Sequence, residues 1–335
     1  MADRWADPNG RRRREEWEDE RTVRYVLMIE AQQGLSYADQ LAIARRAEGA
    51  GFEAMFRSDH YESFPGPSGR PTTDAWTVLA GLARETERIR LGVLVSPVTF
   101  RLPGTFAKIV TTVDEMSGGR IEVGLGAGWN EDEHRRHGVP FPPISERADM
   151  LEEQLAIVHG LWDEPDGWSF DGAHYRIKDA IFHPKPRPRP PIIVGGEGSP
   201  RSLRIGARYA DEFNVTSSTP ARVADRFAAL DAACRAIGRD PSSIVHSAMV
   251  GTMVGRDEGE LDARRRALLA EFTAEEAAED YFEARAERWI LGTPDQARAK
   301  VAAFEAAGVQ RLMLQDFLPR DLEMIDLLGA ELVRR

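Results

Sequence analysis

His60 is the residue of this chain whose chemistry is easiest to name, because an imidazole titrates near neutrality and can take or give a proton. Asp59 precedes it, and an adjacent carboxylate can orient the ring. A histidine that caps a strand end or bonds neighbouring backbone satisfies the same pattern. Its place at the end of an apolar run, next to Asp59, favours proton transfer.

Two glycine clusters could serve a ligand. Gly195, Gly196 and Gly198 precede a helical stretch beginning near Arg201, and backbone N–H groups at a helix N-terminus bind phosphate without a lysine. An ordinary strand-to-helix turn has the same composition. Gly124 to Gly128, GLGAG, matches a dinucleotide fingerprint only in part. That fingerprint opens a helix at once and has an acidic residue about 20 positions on, whereas Trp129 to Pro143 reads as a long loop. These glycines read better as room for a flat ring system against a strand end.

Other chemistries find little support. His134 and His137 stand in NEDEHRRHG, a run so charged that it reads as solvated surface, and no metal site is expected there. There is no Gly-x-Ser-x-Gly elbow. The single cysteine, Cys234, sits in the helical context RFAALDAACRAIG and reads as a packing residue.

The elements that must hold these residues alternate between short apolar runs and longer stretches of helical period, the mark of βα units around a parallel sheet. Strands are expected at Val23 to Ile29, Glu53 to Arg57, Ile89 to Val95, Arg120 to Leu125, Ile192 to Val194, Glu212 to Val215, Ile244 to Val254 and Arg311 to Leu314. Helices are expected at Tyr37 to Ala50 with Ser36 as N-cap, Asp74 to Glu85, Thr105 to Met116, Ser145 to Leu161, Arg201 to Arg208, Ala221 to Ile237, Gln296 to Ala307 and Leu322 to Val333. Eight strands close a barrel, so the expected fold is an α/β (β/α)8 TIM barrel with insertions. One insertion is a hairpin near 163–190, with extended pieces around Trp168 to Phe170 and His174 to Ile177, and a second is a pair of helices near 258–290. Residues 1–22 read as a charged extension outside a single domain spanning 23–335. In such a barrel the active site lies at the C-terminal ends of the strands, where Glu30, Asp59, His60, Ser96, Ala127, Gly128, Gly195, Gly196 and Gln315 all fall.

Composition narrows the partners. A net charge of −11 disfavours nucleic acid, and no apolar stretch approaches the roughly 18 residues of a membrane span. The first twenty residues carry charges where a secretory signal needs an apolar core, so a cytoplasmic location is expected.

The segments GFEAMFRSDHY (51–61), RIRLGVLVSPVTFRLPG (88–104), MSGGRIEVGLGAGWNEDEH (116–134) and PIIVGGEG (191–198), taken in order, resemble the luciferase-like monooxygenase superfamily. The Ser58-Asp59-His60 ending is similar to the branch that uses the deazaflavin coenzyme F420. That resemblance implies that Asp59 and His60 face the deazaflavin and that a non-prolyl cis peptide at Leu94-Val95 bulges behind the ring. It further implies that backbone at Ala127 and Gly128 lines the cofactor, that Trp129 roofs it, and that Gly195 and Gly196 hold its phosphate. In the sugar-phosphate dehydrogenases of the branch a glutamate acts as acid where Trp129 stands here, so sugar-phosphate oxidation is not implied. The expected activity is hydride transfer between F420 and a small organic substrate, in a homodimer. An FMN-dependent monooxygenase and a non-catalytic flavin- or deazaflavin-binding protein are the alternatives.

Overall fold

The computed structural model describes residues 23–272 and 280–334. The N-terminal extension and part of the second insertion therefore lie outside the described residues.

The first half of the chain lays down four βα units. Strand β1 (Arg24–Ile29) leads to α1 (Tyr37–Ala50), β2 (Ala54–Arg57) to α2 (Ala75–Glu85), β3 (Arg90–Pro97) to α3 (Pro103–Ser117), and β4 (Ile121–Gly126) to α4 (Glu131–Arg136) and α5 (Ile144–Asp163). A hairpin of β5 (Trp168–Asp171) and β6 (Arg176–Ala180) interrupts the rhythm. It resumes with β7 (Ile192–Gly196), α6 (Pro200–Tyr209), β8 (Glu212–Thr216), α7 (Pro220–Ala236), β9 (Val245–Val254), α8 (Glu258–Ala270), β10 (Ile290–Gly292), α9 (Pro294–Ala306), β11 (Arg311–Asp316) and α10 (Leu322–Leu328).

All pairings of the main sheet are parallel, and β1, β2, β3, β4, β7, β8, β9 and β11 follow one another around a ring that closes through β11 on β1. The expected barrel is thus observed, with helices packed around it. The short β10 pairs only with β9 and was not legible as a strand. Local signals placed the helices well. Ser36 caps α1 by a reciprocal pair of bonds with Asp39, and Gly51 ends that helix at φ 90°, a left-handed conformation that suits glycine.

Three expectations need correction. Trp129 to Pro143 is not all loop, because Asn130 caps the short α4 inside it. The second hairpin strand starts at Arg176 rather than His174. Of the two helices expected near 258–290, α8 is present, and the second falls partly on 273–279, which lie outside the described residues, with turns and one 3-10 turn at Glu283–Arg285 in the described remainder. The last helix widens after Leu328 into a π turn at Gly329–Val333.

Side chains alternate in and out along each strand, so the barrel interior is filled in layers. A middle apolar layer comprises Val26, Met28, Ala54, Phe56, Leu94, Ile193 and Met313. Below it, buried Arg311 bonds Glu122 at 2.6 Å, Glu212 at 2.8 Å and Glu53 at 3.0 Å. Burial alone would raise the pKa of Glu122, but Arg311 and Arg90 outweigh it and hold it at about 2. The charged floor and apolar middle leave the opposite, C-terminal end as the mouth. Among the described residues no helix is long and apolar enough to cross a membrane.

Candidate functional site at the barrel mouth

His60 follows β2 and lies at the mouth with its side chain 14% exposed. Its ring meets Phe64 edge-on at a centroid distance of 4.5 Å and Trp129 at 5.8 Å, and these two aromatics meet each other at 5.0 Å. Nδ1 lies 2.9 Å from Oε2 of Glu133 on α4. A carboxylate oxygen accepts, so Nδ1–H donates, and in the neutral imidazole Nε2 is left as the acceptor. Oε1 of Glu133 accepts from the backbone N–H groups of Tyr61 and Glu62, which clamps the end of β2 against α4.

Asp59 is not the carboxylate bonded to His60. Its carboxylate is buried and accepts from Ser96 Oγ at 2.7 Å and from both terminal nitrogens of Arg101, while Ser96 itself accepts from the indole N–H of Trp76 at 2.9 Å. Arg101 also donates to Asp74 and to Tyr61 Oη. Burial would lower the pKa of Arg101, but Asp59, Tyr61 and Asp74 together raise it above its ordinary value. Asp59 therefore ties β2 to β3, and the carboxylate bonded to His60 is that of Glu133. Sequence reasoning missed Glu133 and Arg101; the asparagine three positions before Glu133, a helix-capping residue, was the available signal that NEDEHRRH forms a helix with a buried face.

That run is also only partly solvated surface. His134 is buried, donates from Nδ1 to the Asn130 carbonyl at 2.6 Å and accepts at Nε2 from Thr99 Oγ1 at 2.6 Å. Burial lowers its pKa. His137 is exposed, and no cluster of metal-ligating side chains occurs among the described residues.

A ledge at the mouth is built by β3. Its pairing with β4 slips between Val93 and Ser96, so Leu94 and Val95 bulge from the ladder, and the Leu94-Val95 peptide is cis. The glycines opposite accommodate this bulge. A Cβ on Gly126 would stand 2.6 Å from Val95 Cγ2, one on Gly195 3.1 Å from Val95 Cγ1, and one on Gly124 2.1 Å from the Val93 carbonyl. The space at Gly124 and Gly126 is thus filled by β3 itself, not held open for a ring. What β3 presents is the partly exposed apolar side chain of Val95, and beside it lie Gly195 and Gly196, whose backbone is partly exposed. An apolar ledge, an imidazole and aromatic edges fit a flat ring system. Trp129 is 65% exposed, so it borders this space rather than closing it.

Backbone groups beside the ledge are tightly held. Arg147 donates to the carbonyls of Ala127 at 3.1 Å and Gly128 at 3.4 Å, and its guanidinium lies 3.7 Å over the Phe141 ring. At the other end, Ser199 caps α6, and Arg226 reaches over from α7 to donate to the Gly198 carbonyl at 2.9 Å. The glycine turn therefore has a cation next to it that spacing did not reveal. Deeper in the mouth, Glu30 accepts from Gln32 at 2.8 Å and from Gln315 at 2.5 Å, and Ser58 donates to Gln32.

The family described as luciferase-like monooxygenase matches residues 23–311. The chain is 29% identical over 309 residues to an F420-dependent glucose-6-phosphate dehydrogenase of Microbacterium testaceum, covering 86% of this chain and 90% of that one. It is 31% identical over 235 residues to an F420-dependent hydroxymycolic acid dehydrogenase of Mycobacterium tuberculosis, covering 70% and 63%. Among solved structures, an F420-dependent secondary alcohol dehydrogenase holding an F420-acetone adduct superposes with a TM-score of 0.79 over 94% of this chain and 100% of that one. At 21% identity that last likeness is one of fold.

Proposed function

The chain belongs to the luciferase-like monooxygenase family, and from that membership we propose that it is a coenzyme F420-dependent oxidoreductase acting on a small organic substrate. The observation that carries this reading is His60, whose Nε2 has no protein partner among the described residues while Nδ1 is committed to Glu133.

When bound, the coenzyme supplies hydride transfer. Val95 and the backbone at Gly195 and Gly196 provide the apolar ledge and close approach that its ring requires. Gly198 to Ser202 and Arg226 form the side suited to its anionic tail. As a substrate carbon loses a hydride, the proton of its hydroxyl passes to Nε2 of His60; in the reductive direction the same nitrogen returns it. Phe64 and Trp129 limit water around that transfer.

The substrate of this proposal is uncharged and not a sugar phosphate. Trp129 offers no acid, and the nearby cations are already engaged: Arg101 by Asp59 and Asp74, Arg147 by backbone carbonyls, Arg136 by Glu62 and Arg70 by Gln33 and Glu271. A cytoplasmic homodimer is part of the same proposal, and light scattering measures the oligomeric state.

Titrating the purified apo-protein with F420 and with FMN, each alone, is the decisive experiment. Saturable F420 binding followed by turnover of secondary alcohols is expected. Tight FMN binding with substrate-dependent oxygen uptake would replace the reading by a monooxygenase, and F420 binding without any turnover by a carrier or sensor.

A further inference from the structure

We propose that Glu133 is the positioning residue for His60, setting which nitrogen of the imidazole carries the proton. The inference builds on the reading of His60 as the proton-transfer group. It adds a residue on a different βα unit and a specific chemical consequence.

Glu133 is held from both sides. Its own N–H donates to Oδ1 of Asn130 at 3.3 Å, which places it in the first turn of α4, and it is buried to 1% exposure. Its carboxylate divides its two oxygens between two tasks. Oε1 takes the N–H groups of Tyr61 and Glu62, and Oε2 takes Nδ1 of His60 at 2.9 Å.

Other charged groups near the imidazole are engaged elsewhere. Asp59 is bound to Arg101, Glu62 to Arg136, and His134 to Thr99 and Asn130. Phe64 and Trp129 touch the ring by their edges and offer no acceptor that would hold a proton on Nε2.

Because the backbone N–H groups require an acceptor on their side of residue 133, Glu133→Gln has a defined outcome. The amide oxygen must face Tyr61 and Glu62, so the amide NH2 faces His60. An NH2 group donates, which forces Nδ1 to accept and moves the proton to Nε2. The substitution thus inverts the tautomer with almost no change in shape. Nε2 then loses the lone pair that accepts the substrate proton.

The tautomer is read by long-range 1H–15N correlation spectra of histidine-labelled apo-protein at about pH 8.5, with the His60 signals assigned by comparison with His60→Gln. Wild-type protein is expected to show Nδ1 protonated, and Glu133→Gln to show Nε2 protonated. With F420 bound, kcat of Glu133→Gln should fall by at least ~10²-fold, while KM and the coenzyme Kd change little, because the affected step is the proton transfer. Glu133→Asp, which keeps two acceptor oxygens, should recover part of the rate. Nε2 protonated in the wild type, or an inverted tautomer with unchanged kcat, would overturn the proposal. The wild-type spectrum needs only His60→Gln for its assignment and no coenzyme, so it decides the point even if Glu133→Gln fails to fold. For the same reason, a protein that binds no F420 sinks the functional reading without deciding the tautomer.

Discussion

Arg101 places both terminal guanidinium nitrogens on the carboxylate of Asp59, and this buried pair fastens the end of β2 to the loop after β3. Removing the cation alone would strand Asp59 without its counter-charge, with Asp74 also losing a partner. Arg101→Met should therefore destabilise the protein by about 3–5 kcal/mol, measured by urea denaturation, since a broken buried pair leaves an uncompensated charge. Arg101→Lys should recover only part of that loss, because one ammonium cannot reproduce the two-pronged contact.

His60→Ala removes the nitrogen proposed to transfer the proton and leaves the Val95 ledge in place. Steady-state kinetics with F420 should show kcat lowered by ~10²-fold or more, with coenzyme Kd changed only a few-fold. Parallel losses in Kd and kcat would instead make His60 a binding group.

Gly126→Ala tests the ledge. The added methyl would meet Val95 Cγ2 at 2.6 Å, so the bulge must shift. A loss of about 1–3 kcal/mol in thermal stability is expected from overpacking. Coenzyme affinity, read by fluorescence titration, should weaken in the same variant. Unchanged affinity would separate the bulge from the binding site.

Asp316, at the end of β11, supplies a pH dependence unrelated to the chemistry of His60. Burial raises its carboxyl to about 7, well above the ordinary range for an aspartate. With the native pKa above the unfolded one, the folded state holds the proton that the unfolded state releases, so stability falls as pH rises from about 4 through 7. Replacing Asp316 by Asn should remove that slope and stabilise the protein above pH 7 by up to roughly 4 kcal/mol, three pKa units at about 1.4 kcal/mol each. Urea midpoints of the two proteins at pH 5 and pH 8 provide the comparison. Equal gains at both pH values would assign the effect to packing.

Much of this protein is determined locally. Apolar runs separated by capped, periodic stretches specify βα units because strand and helix each reveal themselves over a few residues, as the reciprocal Ser36 and Asp39 bonds illustrate. Parallel strands need crossovers and eight of them close, so the barrel and the identity of its mouth follow from the order of elements. His60 was legible for that reason.

The partners of His60 and Asp59 were not. Neighbouring residues at a strand end project to different sides, so sequence adjacency misassigned Asp59, whose carboxylate lies with Arg101 and Ser96. Glu133 is 73 positions from His60 and stands in a run whose charge suggests solvent. Only barrel closure, which brings the end of β2 to the helix after β4, buries that one carboxylate against the imidazole. Composition identified the residue types at the mouth; tertiary structure decided which acid holds the histidine, because a hydrogen bond depends on distance in space and not along the chain.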